Sequence, residues 1–288
     1  MDDMHVLVIG LGYTGTEIAR LALAAGARVT ATSRSPGGRS TPAGVQMVAF
    51  GDAGPALTAA THVLQTAPPG EAGDPVLERF GAVLDQPGGR TRWAGMLSTT
   101  GVYGDRGGAW VDEDTSPAPT GPRGQLRFAA EQAWVAAFPG ACTDLFRVAG
   151  IYGPGRSVLD DVRRGTARRV DKPGHLFGRI HRDDIAGAVL AAMLQDRQAG
   201  PRVLNLADDE PAANAAVVTF AAELLGSPLP PLVTFEQALA AMSPMGRSFW
   251  AENRRVASRK TQERLGRNWS YPTYREGLRA VLAAELAG

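Results

Sequence analysis

A glycine-rich hexapeptide near the start of the chain has the residue types and spacing that bind phosphate groups. Gly10-Leu11-Gly12-Tyr13-Thr14-Gly15 follows the apolar run H-V-L-V-I and opens a stretch with helical spacing, the context in which G-x-G-x-x-G binds a dinucleotide. Gly10 permits a tight turn, Gly12 lets the backbone approach a pyrophosphate, and Gly15 lets the helix pack on the sheet. The helix start at Tyr13 and Thr14 directs N–H groups at the phosphates. The hexapeptide therefore predicts a dinucleotide-binding site.

The end of the second apolar run indicates which dinucleotide binds. NAD sites place an acidic side chain about 20 residues after the motif, where it holds the ribose 2′-hydroxyl. Here the run ends in Thr32-Ser33-Arg34-Ser35 and is followed by Arg39. An arginine makes paired, charge-assisted hydrogen bonds to a 2′-phosphate, so Ser33 and Arg34 favour NADP over NAD as the cofactor. In the alternative interpretation Arg34 stacks on the adenine ring, which suits either cofactor.

Two stretches in the middle of the chain carry a second pattern. One reads S-T-T-G-V-Y-G, and the next, after an acidic and proline-rich loop, reads G-P-R-G-Q-L-R-F-A-A-E-Q. They resemble the extended short-chain dehydrogenase/reductase family (the NAD-dependent epimerase/dehydratase group), which reads S-S-x-x-x-V-Y-G and then P-Y-G-x-S-K-x-x-x-E. Pro122, Gly124 and Glu131 anchor the alignment of the second stretch. Arg123 then stands at the family's catalytic tyrosine and Arg127 at its lysine.

The resemblance implies a catalytic group of one hydroxyl, one tyrosine and one lysine, of which the hydroxyl is retained. Thr99 takes the position of the hydroxyl that polarises the substrate. Arg123 cannot pass a proton, because a guanidinium stays charged with a pKa above about 12. Arg127 still offers positive charge to the nicotinamide ribose, and Glu131 is expected to pair with it one helical turn further on, at the surface. Two arginines beside a nicotinamide indicate a site for an anionic substrate, such as a carboxylate, a phosphate or a sugar acid. In the alternative interpretation both arginines are solvated residues on the helix face.

Two tyrosines remain as candidate proton donors. Tyr103 belongs to V-Y-G and is the first candidate. Tyr152 belongs to R-V-A-G-I-Y-G-P-G, which resembles the family's L-R-x-x-x-V-Y-G-P-G, the run that lines the nicotinamide end of the site. In the alternative interpretation each tyrosine packs beneath a glycine turn. The resemblance also implies that Asp52 lies near the adenine, and that Thr66 and Ala67 lie beside the cofactor ribose. In the alternative interpretation Asp52 is a turn-forming residue after Gly51.

The elements that carry these residues alternate between strands and helices. Short apolar runs alternate with stretches of helical spacing, which is typical of βαβ units and a parallel sheet. The predicted strands are 5–10, 28–33, 45–50, 62–66, 93–98, 144–148 and 203–206. The predicted helices between them are 14–25, 76–84, 126–138 and 185–194. The sequence therefore predicts an α/β fold with a doubly wound parallel Rossmann sheet.

The chain changes character near residue 208. Residues 1–207 are predicted to form the NAD(P)-binding domain, and residues 208–288 are predicted to form a smaller C-terminal substrate lobe. Residues 151–180 are expected to extend towards this lobe. In the family such a lobe closes over the substrate. Further helices are predicted at 214–225, 235–242 and 274–286, and loops at 37–44 and 104–121.

Composition and charge limit the classes of function. Thirty basic and 29 acidic side chains give a net charge of +1, so no overall field indicates binding to nucleic acid or to an anionic membrane. The single cysteine, Cys142, excludes an internal disulfide and suits a reducing compartment. The histidines show no metal-ligand spacing, so no metal site is expected. No apolar run approaches the ~20 residues of a membrane span, and a cytoplasmic location is expected.

Two functions fit the sequence. The first is an atypical oxidoreductase or epimerase that uses NADP, or alternatively NAD, on an anionic or sugar-derived small molecule. The second is a non-catalytic NADP-binding redox sensor. The retained Thr99 favours the enzyme, whereas Arg123 favours the sensor. Helices 76–84 and 126–138 carry more apolar bulk than one packed face needs, so a homodimer like those of the family is also expected.

Overall fold

The computed structural model describes residues 3–34, 41–84 and 90–287. The strands of these residues are β1 (His5–Ile9), β2 (Arg28–Ser33), β3 (Val45–Ala49), β4 (His62–Gln65), β5 (Trp93–Thr99), β6 (Trp110–Val111), β7 (Cys142–Val148), β8 (Gly150–Tyr152), β9 (Arg169–Asp171), β10 (Arg179–His181), β11 (Gly200–Leu206), β12 (Leu232–Thr234) and β13 (Arg255–Val256). The helices are α1 (Tyr13–Ala24), α2 (Gly54–Ala59), α3 (Pro75–Leu84), α4 (Pro122–Ala137), α5 (Val158–Arg163), α6 (Arg182–Met193), α7 (Asn214–Leu224), α8 (Phe235–Ala241), α9 (Pro244–Trp250), α10 (Arg259–Leu265) and α11 (Tyr274–Ala287).

Seven of the strands form one sheet in the order β11-β7-β5-β4-β1-β2-β3. β1 pairs in parallel with β2 on one side and with β4 on the other, and the pairs β2–β3 and β4–β5 are parallel as well. The predicted doubly wound Rossmann sheet is therefore confirmed. The strand order reverses between β1 and β4, and open α/β sheets bind their ligands at the carboxyl ends of the strands at such a reversal.

The central strands are buried on both faces, as their continuous apolar runs predict. Every residue of β1 is buried, which is typical of a parallel strand covered by helices on both sides. The core on one side joins helices α2, α3 and α4 to the sheet. Its buried members include Leu57, Phe80, Met96 and Trp134.

The helices from which a homodimer was expected contribute to this same core. Val76, Phe80 and Trp134 are buried in it, and Leu77 and Val135 are partly buried and pack against it. Much of the apolar side-chain volume of α3 and α4 is therefore packed within the chain. The homodimer stays a prediction that rests on the resemblance alone.

The chain divides into two compact units, each drawn from three stretches. The first unit contains residues 1–102, 122–147 and 185–204, and the second contains 103–121, 148–184 and 205–288. The stretch predicted as a C-terminal lobe, 208–288, lies within the second unit, together with 151–180. No helix of the described residues is both long enough and apolar enough to cross a membrane.

The second unit combines short parallel strand pairs with helices. β10 pairs with β8, β12 with β9, and β13 with β6. Its core gathers the apolar faces of α5, α7 and α11, and the buried members include Leu159, Val218, Tyr274 and Val281. Each strand pair spans only two or three residues, so most of the apolar burial in this unit comes from helix packing.

The short elements are the ones that sequence patterns did not predict. The predicted loop 104–121 contains strand β6, which pairs with β13 in the basic segment of the chain. Helices α2, α5, α9 and α10 have six or seven residues each, too few for a helical period to repeat convincingly. The predicted loop 37–44 lies partly outside the described residues.

Candidate functional site

The turn after β1 has the geometry of a phosphate-binding loop. Gly10 has a φ of +96°, in the left-handed region that favours glycine. Its amide donates a 3.1 Å hydrogen bond to Thr32 Oγ1, and the amide of Leu11 donates to the Thr32 carbonyl at 2.9 Å. β2 therefore fixes the turn that leads into α1.

The three glycines of the loop have different surroundings. A Cβ atom on Gly15 would lie 2.7 Å from the Gly10 carbonyl oxygen, and one on Gly10 would lie 2.9 Å from Thr66 Oγ1. A Cβ on Gly12 would meet nothing within 4 Å. Gly10 and Gly15 are thus required by the packing of the chain itself. Gly12 instead leaves open room in front of the helix, which is where a pyrophosphate approaches the backbone in this motif.

The start of α1 adds to the same anion-binding geometry. Gly12 is the N-cap residue and no side chain caps the helix there. Tyr13 and Thr14 are the first two residues of α1. Tyr13 is half-buried and Thr14 is buried. Because the first N–H groups of a helix have no partners within the helix and carry partial positive charge, they attract phosphate groups. This arrangement fits a dinucleotide pyrophosphate.

Thr66 supports the glycine loop from the neighbouring strand. Its hydroxyl donates to the Ile9 carbonyl at 3.1 Å and to the Gly10 carbonyl. Ala67 lies against Gly10, and its amide donates to Gln65 Oε1 at 3.3 Å. That Thr66 and Ala67 lie beside the cofactor ribose stays a prediction. In the structure the Thr66 hydroxyl is already bonded to the glycine loop.

The residues predicted to select the cofactor lie at the ends of β2 and β3. Ser33 is half-buried and Arg34 is exposed, and Ser35 and Arg39 lie outside the described residues. Asp52, predicted to lie near the adenine, is exposed in a short 3₁₀ helix over Phe50–Asp52. Arg34 thus has the exposure that recognition of a 2′-phosphate requires.

Thr99 is the last residue of β5, and the backbone that follows it folds back onto its hydroxyl. The amide of Gly101 donates to Thr99 Oγ1 at 3.1 Å. Thr99 is half-buried, and its hydroxyl accepts this bond while keeping its own proton to donate. This is the geometry of a hydroxyl that can polarise a ligand oxygen at the carboxyl edge of the sheet.

The two arginines that replace tyrosine and lysine lie one turn apart near the start of α4. The helix begins at Pro122, one turn earlier than predicted, because proline suits the first position of a helix. Arg123 is exposed, whereas Arg127 is half-buried and its Nη1 donates to the Leu97 carbonyl at 3.1 Å. Burial lowers the pKa of the Arg127 guanidinium, the nearby Asp74 opposes that shift, and Arg123 adds to it.

Glu131 does not form the expected surface bridge with Arg127. It is 1% exposed and accepts two hydrogen bonds from Arg147, Nε to Oε1 at 3.2 Å and Nη2 to Oε2 at 2.8 Å. Ser98 also donates to Glu131 Oε1. The physical reason for the difference is the direction of the side chain, which points from α4 into the sheet and reaches β5 and β7. The result is a buried network of Ser98, Glu131 and Arg147.

A second polar pair in the first unit was missed by the sequence patterns. Gln65, the last residue of β4, is fully buried and donates to both carboxylate oxygens of Asp74 at 3.2 and 3.0 Å. Asp74 in turn accepts from the amide of Val76 at 2.8 Å and caps α3. A glutamine at the end of the short strand H-V-L-Q, directly after two apolar residues, is the signal that could have identified this pair.

In the second unit Tyr103 is a core residue, which corrects its prediction as a proton donor. Its side chain has no exposure, and its hydroxyl donates to Asn205 Oδ1 at 2.7 Å. It packs with Val111, Ala207 and Val256. A fully buried hydroxyl that is already paired does not present its proton to a ligand.

Tyr152 is also buried, which corrects its prediction as a cofactor ligand or proton donor. It is 7% exposed and lies against helix α11, where a Cβ on Gly277 would be 1.9 Å from the tyrosine hydroxyl. Burial is the main cause that raises the pKa of Tyr152 above the ordinary value for tyrosine. Both tyrosines therefore follow the alternative interpretation, in which they pack within the protein.

Comparison with known proteins bears on the fold of the chain. No protein-family model matches the chain. A conserved protein of unknown function from Silicibacter pomeroyi is 42% identical, with a TM-score of 0.89 over 98% of this chain and 99% of that one. MoeE5 in complex with UDP-glucuronic acid and NAD is 21% identical, with a TM-score of 0.79 over 99% and 100% of the two chains. Human epimerase family protein SDR39U1 with NADPH is 21% identical, with a TM-score of 0.74 over 97% and 99%.

A curated relative matches only part of the chain. Protein YeeZ of Escherichia coli K12 is 31% identical over 120 residues, which are 41% of this chain and 41% of YeeZ. The match thus spans less than half of that relative's length.

The fold is that of the extended short-chain dehydrogenase/reductases, so the resemblance seen in the sequence is confirmed at the level of the fold. The identity and coverage show that the chain belongs to the same family as the Silicibacter pomeroyi protein.

Proposed function

We propose that the protein is an NAD(P)-dependent oxidoreductase or epimerase that acts on an anionic, sugar-derived substrate. The observation that carries the proposal is the glycine loop, in which Gly10 and Gly15 are confined by backbone and side-chain atoms while Gly12 faces open room. Neighbours of the same fold support it, since MoeE5 binds UDP-glucuronic acid with NAD and SDR39U1 binds NADPH. A bound nicotinamide would supply or accept a hydride.

The residues of the chain support a division of tasks around this cofactor. The loop Gly10–Gly15 and the start of α1 would bind the pyrophosphate, and Arg34 would bind a 2′-phosphate. Thr99 would donate a hydrogen bond to a substrate oxygen. Arg123, exposed and one turn from Arg127, would bind the anionic group of the substrate, since an arginine cannot act as the proton donor that it replaces.

NADPH is expected to bind more tightly than NADH, and Arg34→Ala is expected to remove the difference. A charge-assisted hydrogen bond from arginine to the 2′-phosphate contributes about 1.5–3 kcal/mol, which is roughly one to two decades in affinity. Calorimetric titration of the parent and the variant with both cofactors measures this. Arg20→Ala, at an exposed arginine on α1, is the matched control and should leave both affinities unchanged. Equal loss of NADH and NADPH affinity in Arg34→Ala would show that Arg34 does not select the cofactor.

In the cofactor complex, UDP-glucuronic acid is expected to bind more tightly than UDP-glucose, and Arg123→Ala is expected to reduce that preference about tenfold or more. The carboxylate distinguishes the two probes, so the comparison isolates the anionic contact. Arg123→Lys keeps the charge and should retain part of the preference, and NADPH affinity should stay unchanged in both variants. If the protein binds NADPH but neither probe, and no NADPH is oxidised, the non-catalytic sensor becomes the better assignment.

A further inference from the structure

A buried acid in the second unit lacks the partners that a buried charge requires. Asp208 lies two residues beyond the end of β11 and is 1% exposed. Neither of its carboxylate oxygens has a hydrogen-bond partner among the described residues. Removing a carboxylate from water without hydrogen bonds or a paired cation is strongly unfavourable, so such a group becomes neutral instead. The site therefore favours the protonated acid.

The charged and titratable neighbours of Asp208 do not supply the missing partner. Arg179 on β10 is the nearest cation, but its Nη1 donates to the carbonyl oxygens of Phe177 at 2.9 Å and Ala212 at 3.1 Å. The other groups that act on Asp208, or are acted on by it, are Tyr152 on β8, Tyr274 on α11, and Asp209 and Glu210 on its own segment. Two of these are acidic and disfavour a second negative charge. Burial raises the pKa of Asp208 to about 8, although the charge of Arg179 and its nearby backbone N–H, which lies outside good hydrogen-bond geometry, oppose the shift.

The segment that carries Asp208 joins three parts of the second unit. The Asp208 amide donates to the Arg179 carbonyl on β10 at 2.6 Å, and the Asp209 amide donates to the Pro272 carbonyl at 2.8 Å. Glu210 forms an ion pair with Arg275 on α11. We call residues 208–210 with these contacts the 208–210 junction. It ties the end of β11 to β10 and to the start of α11.

We propose that Asp208 is a proton-dependent switch of this junction: the neutral acid stays buried in the closed junction, and ionisation of the acid opens it. The cation nearest to an ionised Asp208 is Arg179, whose Nη1 is already bound to two backbone carbonyls. The ionised carboxylate therefore gains full hydration only when its segment moves away from β10 and α11. The proton bound to the Asp208 carboxylate thus stabilises the closed junction. The switch lies within the second unit and does not depend on the cofactor.

The direction of the pH effect follows from proton binding in the two states. The ordinary pKa of aspartate is 3.8, and that of Asp208 in the fold is about 8. Between these values the folded protein holds one proton more than the unfolded chain, so stability falls as pH rises through this window and is level above it. His62 and His175 have pKa values lowered to about 4, and their effect is confined to pH values below the ordinary pKa of histidine. Measurements above about pH 7 therefore exclude the contribution of these histidines.

The first test compares variants between about pH 7 and about pH 9. The folding equilibrium constant of the parent, from urea unfolding, is expected to fall roughly tenfold, and the protection factors of the Asp208 and Asp209 amides in hydrogen exchange should fall with it. Asp208→Asn should remove both changes. Glu223→Gln is the matched control, since its side chain is exposed and is not among the groups that act on Asp208, and it should keep them. An Asp208→Asn protein with the same pH dependence as the parent would overturn the proposal.

The second test uses the parent protein alone and so does not require the variant to fold. At neutral pH the infrared spectrum is expected to show the carbonyl band of one protonated carboxylic acid, which disappears as pH is raised through about 8. The absence of this band at neutral pH would show that Asp208 is ionised in the closed junction, which is incompatible with the switch.

Discussion

Gly12→Ala is expected to lose most NADP(H) binding while the protein stays folded. A Cβ at this position meets no atom of the chain within 4 Å, and Gly12 has a φ of −93° that any residue adopts. The methyl group would therefore fill the room that the pyrophosphate needs, and affinity should fall by more than about tenfold, which is about 1.4 kcal/mol. Stability should fall by no more than about 1 kcal/mol, because alanine is a poorer N-cap residue than glycine. Calorimetric titration and urea unfolding measure the two effects.

Gly15→Ala is the matched control, because it changes the same motif at a crowded position. Its Cβ would lie 2.7 Å from the Gly10 carbonyl oxygen, and overpacking of this kind reduces stability by about 1–3 kcal/mol. The two variants thus separate a ligand-facing glycine from a packing glycine. If Gly12→Ala bound NADPH like the parent, the open room would not be the pyrophosphate site and the proposed function would fail with it.

The fold could be predicted from the sequence because its central elements repeat a physical pattern. The run H-V-L-V-I is buried along its whole length as β1, and the glycine hexapeptide marks the turn and helix that follow. These signals are local, since an apolar run and a glycine motif are visible in consecutive residues. The two-residue pair β6–β13 joins Trp110 to Arg255, and no local period can reveal a contact between such distant positions.

Side-chain roles were harder to predict, because they depend on which residues meet in space. Glu131 is four residues from Arg127 in the helix, and the sequence predicted that pair. The structure instead joins Glu131 to Arg147 on β7 and to Ser98 on β5. Tyr103 follows the same logic: its motif resembles that of an active-site strand, yet its hydroxyl is held by Asn205, about one hundred positions away in the chain. For Glu131, closeness in the sequence favoured the wrong partner, Arg127. For Tyr103, the motif favoured an accessible position for a side chain that is buried.

Glu131→Gln is expected to cause a large loss of stability in the first unit. The side chains of Arg147 and Glu131 are 4% and 2% exposed, and their closest atoms lie 2.8 Å apart. Glutamine keeps the shape of the side chain but removes its charge, so the buried Arg147 guanidinium loses the carboxylate charge of Glu131 that it binds. Breaking a buried pair in this way reduces the free energy of unfolding by about 3–5 kcal/mol. Urea unfolding of parent and variant measures the loss.

Two further variants distinguish a buried charge from a simple loss of contact. Glu131→Gln combined with Arg147→Met removes both charges, and it should recover a substantial part of the lost stability, because a buried ion pair is often no better than apolar residues of similar volume. Glu263→Gln breaks an ion pair with Arg259 at the surface, where the side chains of Arg259 and Glu263 are 84% and 62% exposed. This variant should change stability by less than about 0.5 kcal/mol. A double variant as unstable as Glu131→Gln alone would mean that Arg147 stabilises the sheet through its packing. The network would then hold the end of β5, and with it Thr99, by shape and not by charge.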